Sequence, residues 1–354
     1  MLFFACAPCV HPSPTTAECP MTHDHAASPI DIHAHFYPES YLRIIRDEGG
    51  PLGAETKMVD GKGLMLKIGD IVTQPLERRF TDLDARIEAM DRQGVKVHVL
   101  SLSLPMVEWA DRALGHKLSA TVNDALADAN SRQPDRLFGL CTLPWHAPDL
   151  AVKELDRAVQ LRGIRGVYCA TKVRDLELSD ASLTPIFERI EALGLPLFLH
   201  PVGVIGHARL DKFYLHNLLG NPFETAIAAA HFIFGGVLDR FPKLTVCLPH
   251  AGGAFPYLVW RLQRGYDVRG DLKTAKHGPK DYLRRFYYDT VGYAQESHEY
   301  LVNLVGADRV MMGSDFCFPI AYERPVEIVT DHPTWAAAQK SMILEGNARR
   351  LLKI

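Results

Sequence analysis

The feature that most constrains the fold is a regular alternation of short apolar runs and amphipathic stretches from residue 29 onward. Helical patterns cover residues 82–93, 183–193, 222–238 and 254–264, with Thr81 as the predicted N-cap of the first. Strict alternation predicts parallel strands joined by crossover helices. Eight such units favour an α/β fold closed into a (β/α)8 TIM barrel over an open doubly wound sheet. The predicted strands are residues 30–33, 95–102, 137–143, 166–170, 196–200, 244–248, 286–290 and 310–313.

Three segments interrupt this rhythm. Residues 1–28 have no periodicity and are expected to form a disordered N-terminal tail, in which Met21 is an alternative natural start. Residues 37–80 are an expected insertion after the first strand, where an Asp-Gly pair between alternating residues predicts a small hairpin subdomain over the barrel mouth. Residues 201–221 form an expected long loop after the fifth strand. Residues 29–354 are therefore interpreted as one barrel domain.

Composition argues against several classes of partner. The chain has 39 Lys and Arg against 42 Asp and Glu, a net charge of -3, so no basic surface for nucleic acid is expected. No apolar run approaches the roughly 20 residues that cross a bilayer, so no membrane association is expected. Four cysteines lie in or just after apolar runs, which suits buried thiols in a reducing cytoplasm; these are Cys141, Cys169, Cys247 and Cys317.

Histidines and a carboxylate follow four of the predicted strands. His33 and His35 project to the same side of the first strand, because side chains alternate along a strand. His200, His250 and Asp315 follow the fifth, sixth and eighth strands, so all five converge at the carboxyl edge of one barrel. The joint pattern predicts a divalent cation, Zn²⁺ first and Mn²⁺, Fe²⁺ or Co²⁺ as alternatives. A lone histidine after a strand is more often structural, and His98, His146 and His231 are interpreted that way.

Several motifs resemble the amidohydrolase superfamily, in particular its branch of non-oxidative decarboxylases related to aminocarboxymuconate semialdehyde decarboxylase. They are Asp-Ile-His-Ala-His at 31–35, Leu-His-Pro at 199–201, Phe-Pro-Lys-Leu at 241–244, His-Ala-Gly-Gly-Ala-Phe-Pro-Tyr at 250–257, Gly-Ser-Asp at 313–315 and Gly-Asn-Ala at 346–348. The resemblance covers roughly residues 29–352 and implies a distorted barrel with one divalent metal. It implies His33, His35, His200 and Asp315 as ligands, completed by water or hydroxide, and His250 as the catalytic acid/base acting beside Asp315.

The resemblance also implies where a substrate carboxylate binds. Arg261 has the spacing of an arginine that reaches the active site of a partner subunit, which implies a homodimer or higher homo-oligomer; its alternative role is a surface salt bridge. The family's second arginine, in the insertion, has no counterpart between Arg46 and Arg78, and Lys67, Arg78 or Arg79 are candidate substitutes, with Lys67 preferred. Lys172 lies where some binuclear relatives carry a bridging carbamylated lysine.

The expected activity is release of CO2 from a small unsaturated or aromatic carboxylic acid. Val202 and Cys317 depart from the family pattern, so a different acid from that of the named decarboxylase is expected. A hydrolase or hydratase acting on a lactone, amide or unsaturated acid is the alternative on the same scaffold. An inactive binding protein with a structural metal is disfavoured, because structural zinc is usually fully coordinated by protein.

Overall fold

The computed structural model describes residues 28–354, and its centre is a barrel of eight parallel strands. Each predicted strand is confirmed within a few residues, because runs of apolar residues bounded by turns are buried on both faces of such a sheet. The predicted tail lies outside the described residues except for Ser28. In chain order the barrel strands are Ile30–His35, Val97–Ser101, Leu137–Thr142, Ile164–Ala170, Pro196–His200, Thr245–Leu248, Phe286–Asp289 and Val310–Met311.

The sheet runs through the eight strands in chain order, and a parallel bridge between Ala34 and Phe316 connects the end of the eighth strand to the first. Seven neighbouring pairs are parallel, from Ile30 opposite Val97 to Asp289 opposite Met311. The residues after the eighth strand close the circle, since the His35 amide donates to the Phe316 carbonyl at 2.7 Å. The expected barrel, rather than an open sheet, is therefore confirmed.

Helices surround the barrel, and two details differ from the sequence prediction. The helix Leu83–Gln93 is capped by Asp82, whose side chain accepts from two backbone amides, so the predicted Thr81 cap was wrong. The predicted helix 222–238 is two helices, because the chain turns at Gly236, where φ is +67°. The helices are Glu39–Glu48, Arg78–Thr81, Leu83–Gln93, Arg112–Arg132, Pro148–Ala158, Thr184–Leu193, His207–Leu210, Asn221–Phe234, Val237–Arg240, Phe255–Val268, Gln295–Val305, Pro325–Thr330, Ala337–Ser341 and Asn347–Leu352.

The segment after the first strand contains more structure than predicted. The expected hairpin is present as the antiparallel strands Ala54–Val59 and Gly63–Ile68, and Ile71–Val72 adds a third strand. A helix, Glu39–Glu48, precedes the hairpin within the expected insertion. The amphipathic pattern of this helix buries Tyr41 and was not recognised in the sequence. Closure of this segment over the barrel mouth stays a prediction.

Two apolar layers support the barrel. The outer layer lies between strands and helices and includes Trp145 and Phe187, whose rings pack 5.8 Å apart. The inner layer fills the barrel with side chains such as Val99, Tyr168 and Phe198. This inner layer forms the floor beneath the carboxyl ends of the strands. Over the range described, no helix is both long enough and apolar enough to span a bilayer.

Candidate metal centre

The predicted polar residues meet at the carboxyl edge of the barrel. His33, His200, His250 and Asp315 each offer one ligand atom, and these four atoms all lie within 4.8 Å of one another. The four residues come from the ends of the first, fifth, sixth and eighth strands. Their convergence follows from the parallel arrangement, which brings the carboxyl ends of all eight strands to one edge.

Asp315 lies at the centre of this group. Its Oδ1 is 3.1 Å from His35 Nε2 and 3.4 Å from His33 Nε2. Its Oδ2 is 3.9 Å from His250 Nε2. The His35 ring also packs against that of His200, with 4.8 Å between the ring centroids. The structure therefore brings together all five residues that the sequence singled out.

Asp289 is a buried carboxylate of this site that the sequence analysis missed. Its Oδ2 accepts from His33 Nδ1 at 2.7 Å, and the two side chains are only 1% and 5% exposed. Histidines that bind metals commonly donate their second ring nitrogen to a carboxylate in this way. The sequence signal was an aspartate at the end of the seventh apolar run, equivalent in position to the polar ends of the other strands. This contact leaves His33 Nε2 facing the cluster.

A second buried carboxylate, Asp31, joins the first strand to the eighth. Its Oδ1 accepts from the backbone amides of His33 at 2.9 Å and Ser314 at 3.1 Å, and its Oδ2 accepts from the Ser314 hydroxyl. Burial raises the pKa of Asp31 to about 6, even though these donors oppose the rise. Because Ser314 precedes Asp315, these bonds set the spacing between His33 and Asp315.

A buried arginine supports His35 from the opposite side. Arg86 is fully buried and donates to the carbonyl oxygens of His35 and Arg79. Its second terminal nitrogen lies 3.2 Å from His98 Nδ1, so His98 has a structural role, as interpreted from the sequence. The guanidinium also lies 4.9 Å from the centre of the Phe316 ring. These contacts hold the end of the first strand in place.

The protonation states suit a cation. Burial lowers the pKa of His35 to about 4, and burial together with the neighbouring histidines holds the pKa of His200 well below its usual value. Burial alone would raise the pKa of Asp315, but the close approach of His250 and the charge of His33 hold it well below its usual range. The site therefore presents neutral imidazoles beside an ionised carboxylate, which is the donor set that divalent metals require.

His33 is the exception among these histidines. Burial would lower its pKa, but the hydrogen bond to Asp289 and the charge of Asp315 raise it to about 9. Its Nε2 is buried without a hydrogen-bond partner in the described part of the chain, and so is His200 Nδ1. Buried nitrogen atoms of this kind are normally satisfied. The residues present therefore fit a divalent metal ion, which would take the place of the proton on His33.

The backbone turns sharply where two of these residues lie. His250 has φ of +55°, the following Ala251 has +54°, and Asp315 has +64°. Such conformations cost residues other than glycine roughly 1–3 kcal/mol and occur mostly at functional sites. The amides of His250 and Ala251 donate to Asp289 at 3.0 and 2.7 Å, which stabilises the turn.

The two predicted substrate-binding residues lie apart from the cluster. Lys67 is exposed on the small sheet and pairs with Glu55 at 2.8 Å. Arg261 is exposed on the helix Phe255–Val268 and makes no ion pair within residues 28–354. Neither contacts a histidine of the site in this chain.

Comparisons with known proteins give consistent results. The family model described as amidohydrolase matches residues 30–354. A 2-amino-3-carboxymuconate-6-semialdehyde decarboxylase of Dictyostelium discoideum is 32% identical over 336 residues, which cover 91% of each chain. The crystal structure of 5-carboxyvanillate decarboxylase from Sphingomonas paucimobilis is similar with a TM-score of 0.82 and 26% identity, covering 93% of this chain and 100% of that one. A dihydroxybenzoic acid decarboxylase from Polaromonas, solved with bound manganese and the inhibitor 2-nitroresorcinol, has a TM-score of 0.76 and 25% identity, covering 92% and 97%.

Proposed function

This chain belongs to the amidohydrolase family, and from that premise we propose that it is a metal-dependent, non-oxidative decarboxylase of a small unsaturated or aromatic carboxylic acid. The observation that carries the proposal is the cluster of His33, His200, His250 and Asp315 at the carboxyl edge of the barrel. The decarboxylases described above resemble this chain over nearly its whole length, which favours release of CO2 over the other reactions that such a site can perform.

We assign His33, His35, His200 and Asp315 as the metal ligands and His250 as the acid/base. Two of these histidines approach Asp315 Oδ1 within 3.4 Å, whereas His250 approaches the other carboxylate oxygen from 3.9 Å. The side chain of His250 is also the most exposed of the group, at 11%, as a residue facing substrate should be. One ion per chain is proposed. Imidazole and carboxylate donors suit Zn²⁺ first, and Mn²⁺, Fe²⁺ and Co²⁺ remain alternatives.

The proposed reaction requires a proton donor close to the scissile bond. A bound divalent cation would supply Lewis-acid polarisation of a substrate oxygen and a favourable charge for an anionic substrate. His250 then delivers a proton to the carbon that bears the carboxylate. The new C–H bond uses the π electrons of that carbon, the bond to the carboxyl carbon then breaks, its electron pair re-forms the π bond, and CO2 leaves. Asp315 remains ionised and stabilises the positive charge of His250 before the transfer.

We further propose that the enzyme is a homodimer or higher homo-oligomer, in which Arg261 reaches the site of a partner subunit to bind a substrate carboxylate. Arg261 shares its helix with two exposed aromatic side chains, Tyr257 and Trp260, which are 80% and 54% exposed. Large exposed aromatic residues beside a free guanidinium are typical of protein interfaces. Lys67 is the second proposed carboxylate-binding residue. A cytoplasmic location is proposed from the four buried free thiols that the sequence predicted.

The test measures metal content and CO2 release together, on the wild-type protein and on His250→Ala, with hydroxybenzoates and muconate semialdehyde acids as substrates. His277→Ala, at an exposed histidine on a loop, is the matched control. We expect about one metal ion per chain in all three proteins, and loss of CO2 release in His250→Ala alone. Hydrolysis of a lactone or amide without CO2 from any acid would favour the hydrolase alternative. Protein that retains no metal under non-chelating conditions would overturn the mechanism.

A further inference from the structure

Lys172 follows the fourth barrel strand on the side that faces the barrel interior. In that strand, Tyr168 and Ala170 belong to the inner apolar layer. Because side chains alternate along a strand, the residue two positions beyond Ala170 points toward the same side. Lys172 begins a short hairpin, Lys172–Val173 with Leu176–Glu177, at the carboxyl edge of the barrel. It therefore stands at the same edge as the histidine cluster.

The chain on either side of Lys172 is bonded to the segment that carries His200. The amide of Thr171 donates to the His200 carbonyl at 2.9 Å, and the amide of Val202 donates to the Thr171 hydroxyl at 3.3 Å. Gly203 lies directly against the lysine: a Cβ at that position would be 3.0 Å from Lys172 Cε and 3.4 Å from its Nζ. The ammonium group is thus packed beside the residues that immediately follow a proposed metal ligand.

The charge of Lys172 is available for a ligand. Its side chain is half-buried, and no carboxylate of the described chain lies within ion-pair distance of it. Two acidic residues near it have other partners: Glu224 accepts from the amide of Ile205, and Glu177, which lies opposite Lys172 in the hairpin, is 3.5 Å from His231 Nε2. Burial raises the pKa of Glu224, and the charge of Lys172 opposes that rise. The ammonium group of Lys172 is therefore free to pair with an anionic ligand at this edge of the barrel.

We propose that Lys172 binds a carboxylate of the substrate at the mouth of the barrel, as a second cation from within this chain besides Lys67 of the insertion. This inference rests on the proposed function, which provides the anionic substrate. A lysine ammonium suits this task as a compact, mobile charge that accommodates carboxylates at several positions on a ring. Lys172 is then a specificity-determining residue, distinct from the acid/base His250.

The experiment compares binding of an acid and its neutral ester. The probes are 2,6-dihydroxybenzoate and its methyl ester, titrated calorimetrically into metal-loaded His250→Ala protein so that the acid is not consumed. In that background, Lys172→Met keeps the length of the side chain but removes its charge. We expect Kd for the acid to rise about 10- to 100-fold, the loss of one charge-assisted hydrogen bond, with Kd for the ester unchanged. Lys172→Arg should retain most of the affinity for the acid.

Lys212→Met, an exposed lysine on the loop after the fifth strand, is the matched control and should bind both probes as the parent does. Equal weakening of acid and ester by Lys172→Met would show a structural role and overturn the proposal, as would unchanged affinity for the acid. Loss of metal in Lys172→Met would indicate a carbamylated ligand and would likewise overturn the proposal. A parent protein with no preference for the acid would also overturn it. If the parent binds the acid more tightly than the ester but the wild type releases no CO2, only the proposed function would be overturned.

Discussion

Substitution of Asp289 by Asn should weaken metal binding, although Asp289 is not itself a proposed ligand. Its Oδ2 accepts from His33 Nδ1 and from the amide of His250, and its Oδ1 accepts from the amides of Ala251 and Val291. An asparagine has only one acceptor oxygen, so its NH2 group must face one of these pairs of donors. If it faces His33, the ring must carry its proton on Nε2, which removes the lone pair that faces the cluster.

The size of the effect follows from the contact that is lost. The hydrogen bond spans 2.7 Å between two buried side chains, and a bond to a charged group is worth about 1.5–3 kcal/mol. The metal affinity of the form in which His33 is deprotonated should therefore fall about 10- to 100-fold, as it does when other carboxylates that support ligating histidines are replaced. The same substitution removes the main cause that raises the pKa of His33 to about 9.

At neutral pH, the lost hydrogen bond to His33 weakens metal binding, whereas the lower pKa of His33 favours it. In the wild type, Zn²⁺ must displace a proton from His33 below pH 9, so the affinity should rise about tenfold per pH unit up to that value. In Asp289→Asn the pKa of His33 falls, and this proton competition disappears. The variant should therefore bind Zn²⁺ much more weakly than the wild type at pH 9, and the difference should shrink at pH 7.

The assay is calorimetric titration with chelator-buffered Zn²⁺, in buffers of different ionisation enthalpy that report the protons released. We expect release of about one proton from His33 per ion at pH 7 in the wild type, and less in Asp289→Asn. Asp281→Asn, at an exposed aspartate paired with Lys280, is the control and should match the wild type. The reasoning would be refuted by an Asp289→Asn protein whose affinity at pH 9 and proton release at pH 7 are both unchanged.

Three further predictions concern stability. In metal-free protein, the pKa of His35, about 4, lies below the usual 6.5, and that of His33 lies above it, at about 9. Between pH 4 and 6.5, His35 binds its proton more readily in the unfolded chain, so stability rises with pH. Between pH 6.5 and 9, His33 binds its proton more readily in the folded chain, so stability falls with pH. Urea unfolding with chelator should show maximal stability near pH 6.5, and a monotonic profile would contradict this. Arg86→Met leaves the His35 carbonyl without its buried donor and should cost roughly 2–4 kcal/mol of unfolding free energy; a loss under about 1 kcal/mol in urea denaturation would contradict it. Trp145→Ala leaves a cavity in the outer apolar layer and should lower the free energy of unfolding by about 3–5 kcal/mol in the same measurement, with metal content unchanged.

The eight barrel strands and the edge on which the site lies were predictable because both follow from local pattern. A run such as Pro196–His200 is apolar throughout and ends in a polar residue, which marks both a buried strand and its exit from the barrel. The spacing of His33 and His35 places both imidazoles on one side. Parallel strands then bring His200, His250 and Asp315 to the same edge whatever the loops between them do.

Other features were missed where a contact or a single backbone angle decided the outcome. The cap of the helix Leu83–Gln93 is Asp82 because its carboxylate reaches two amides, whereas Thr81 is the last residue of the preceding short helix. The helix Glu39–Glu48 was missed because residues 37–80 were interpreted from their Asp-Gly turn, which predicts a hairpin. The role of Lys67 stays a proposal, and its pairing with Glu55 is a contact that the sequence pattern did not predict.

Sequence periodicity was sufficient to predict the alternation of strands and helices, the number of strands and the residues that project from their carboxyl ends. These depend on periodicity and on side chains a few positions apart. The pairing of buried groups could not be predicted in this way, because those pairs form across the closed barrel between distant positions. His33 and Asp289 are 256 residues apart, and Asp31 and Ser314 are 283 apart. Those contacts exist only once the strand order and the barrel closure bring the first, seventh and eighth strands side by side. The contact with Asp289 raises the pKa of His33 and so keeps on it the proton that a metal ion must displace.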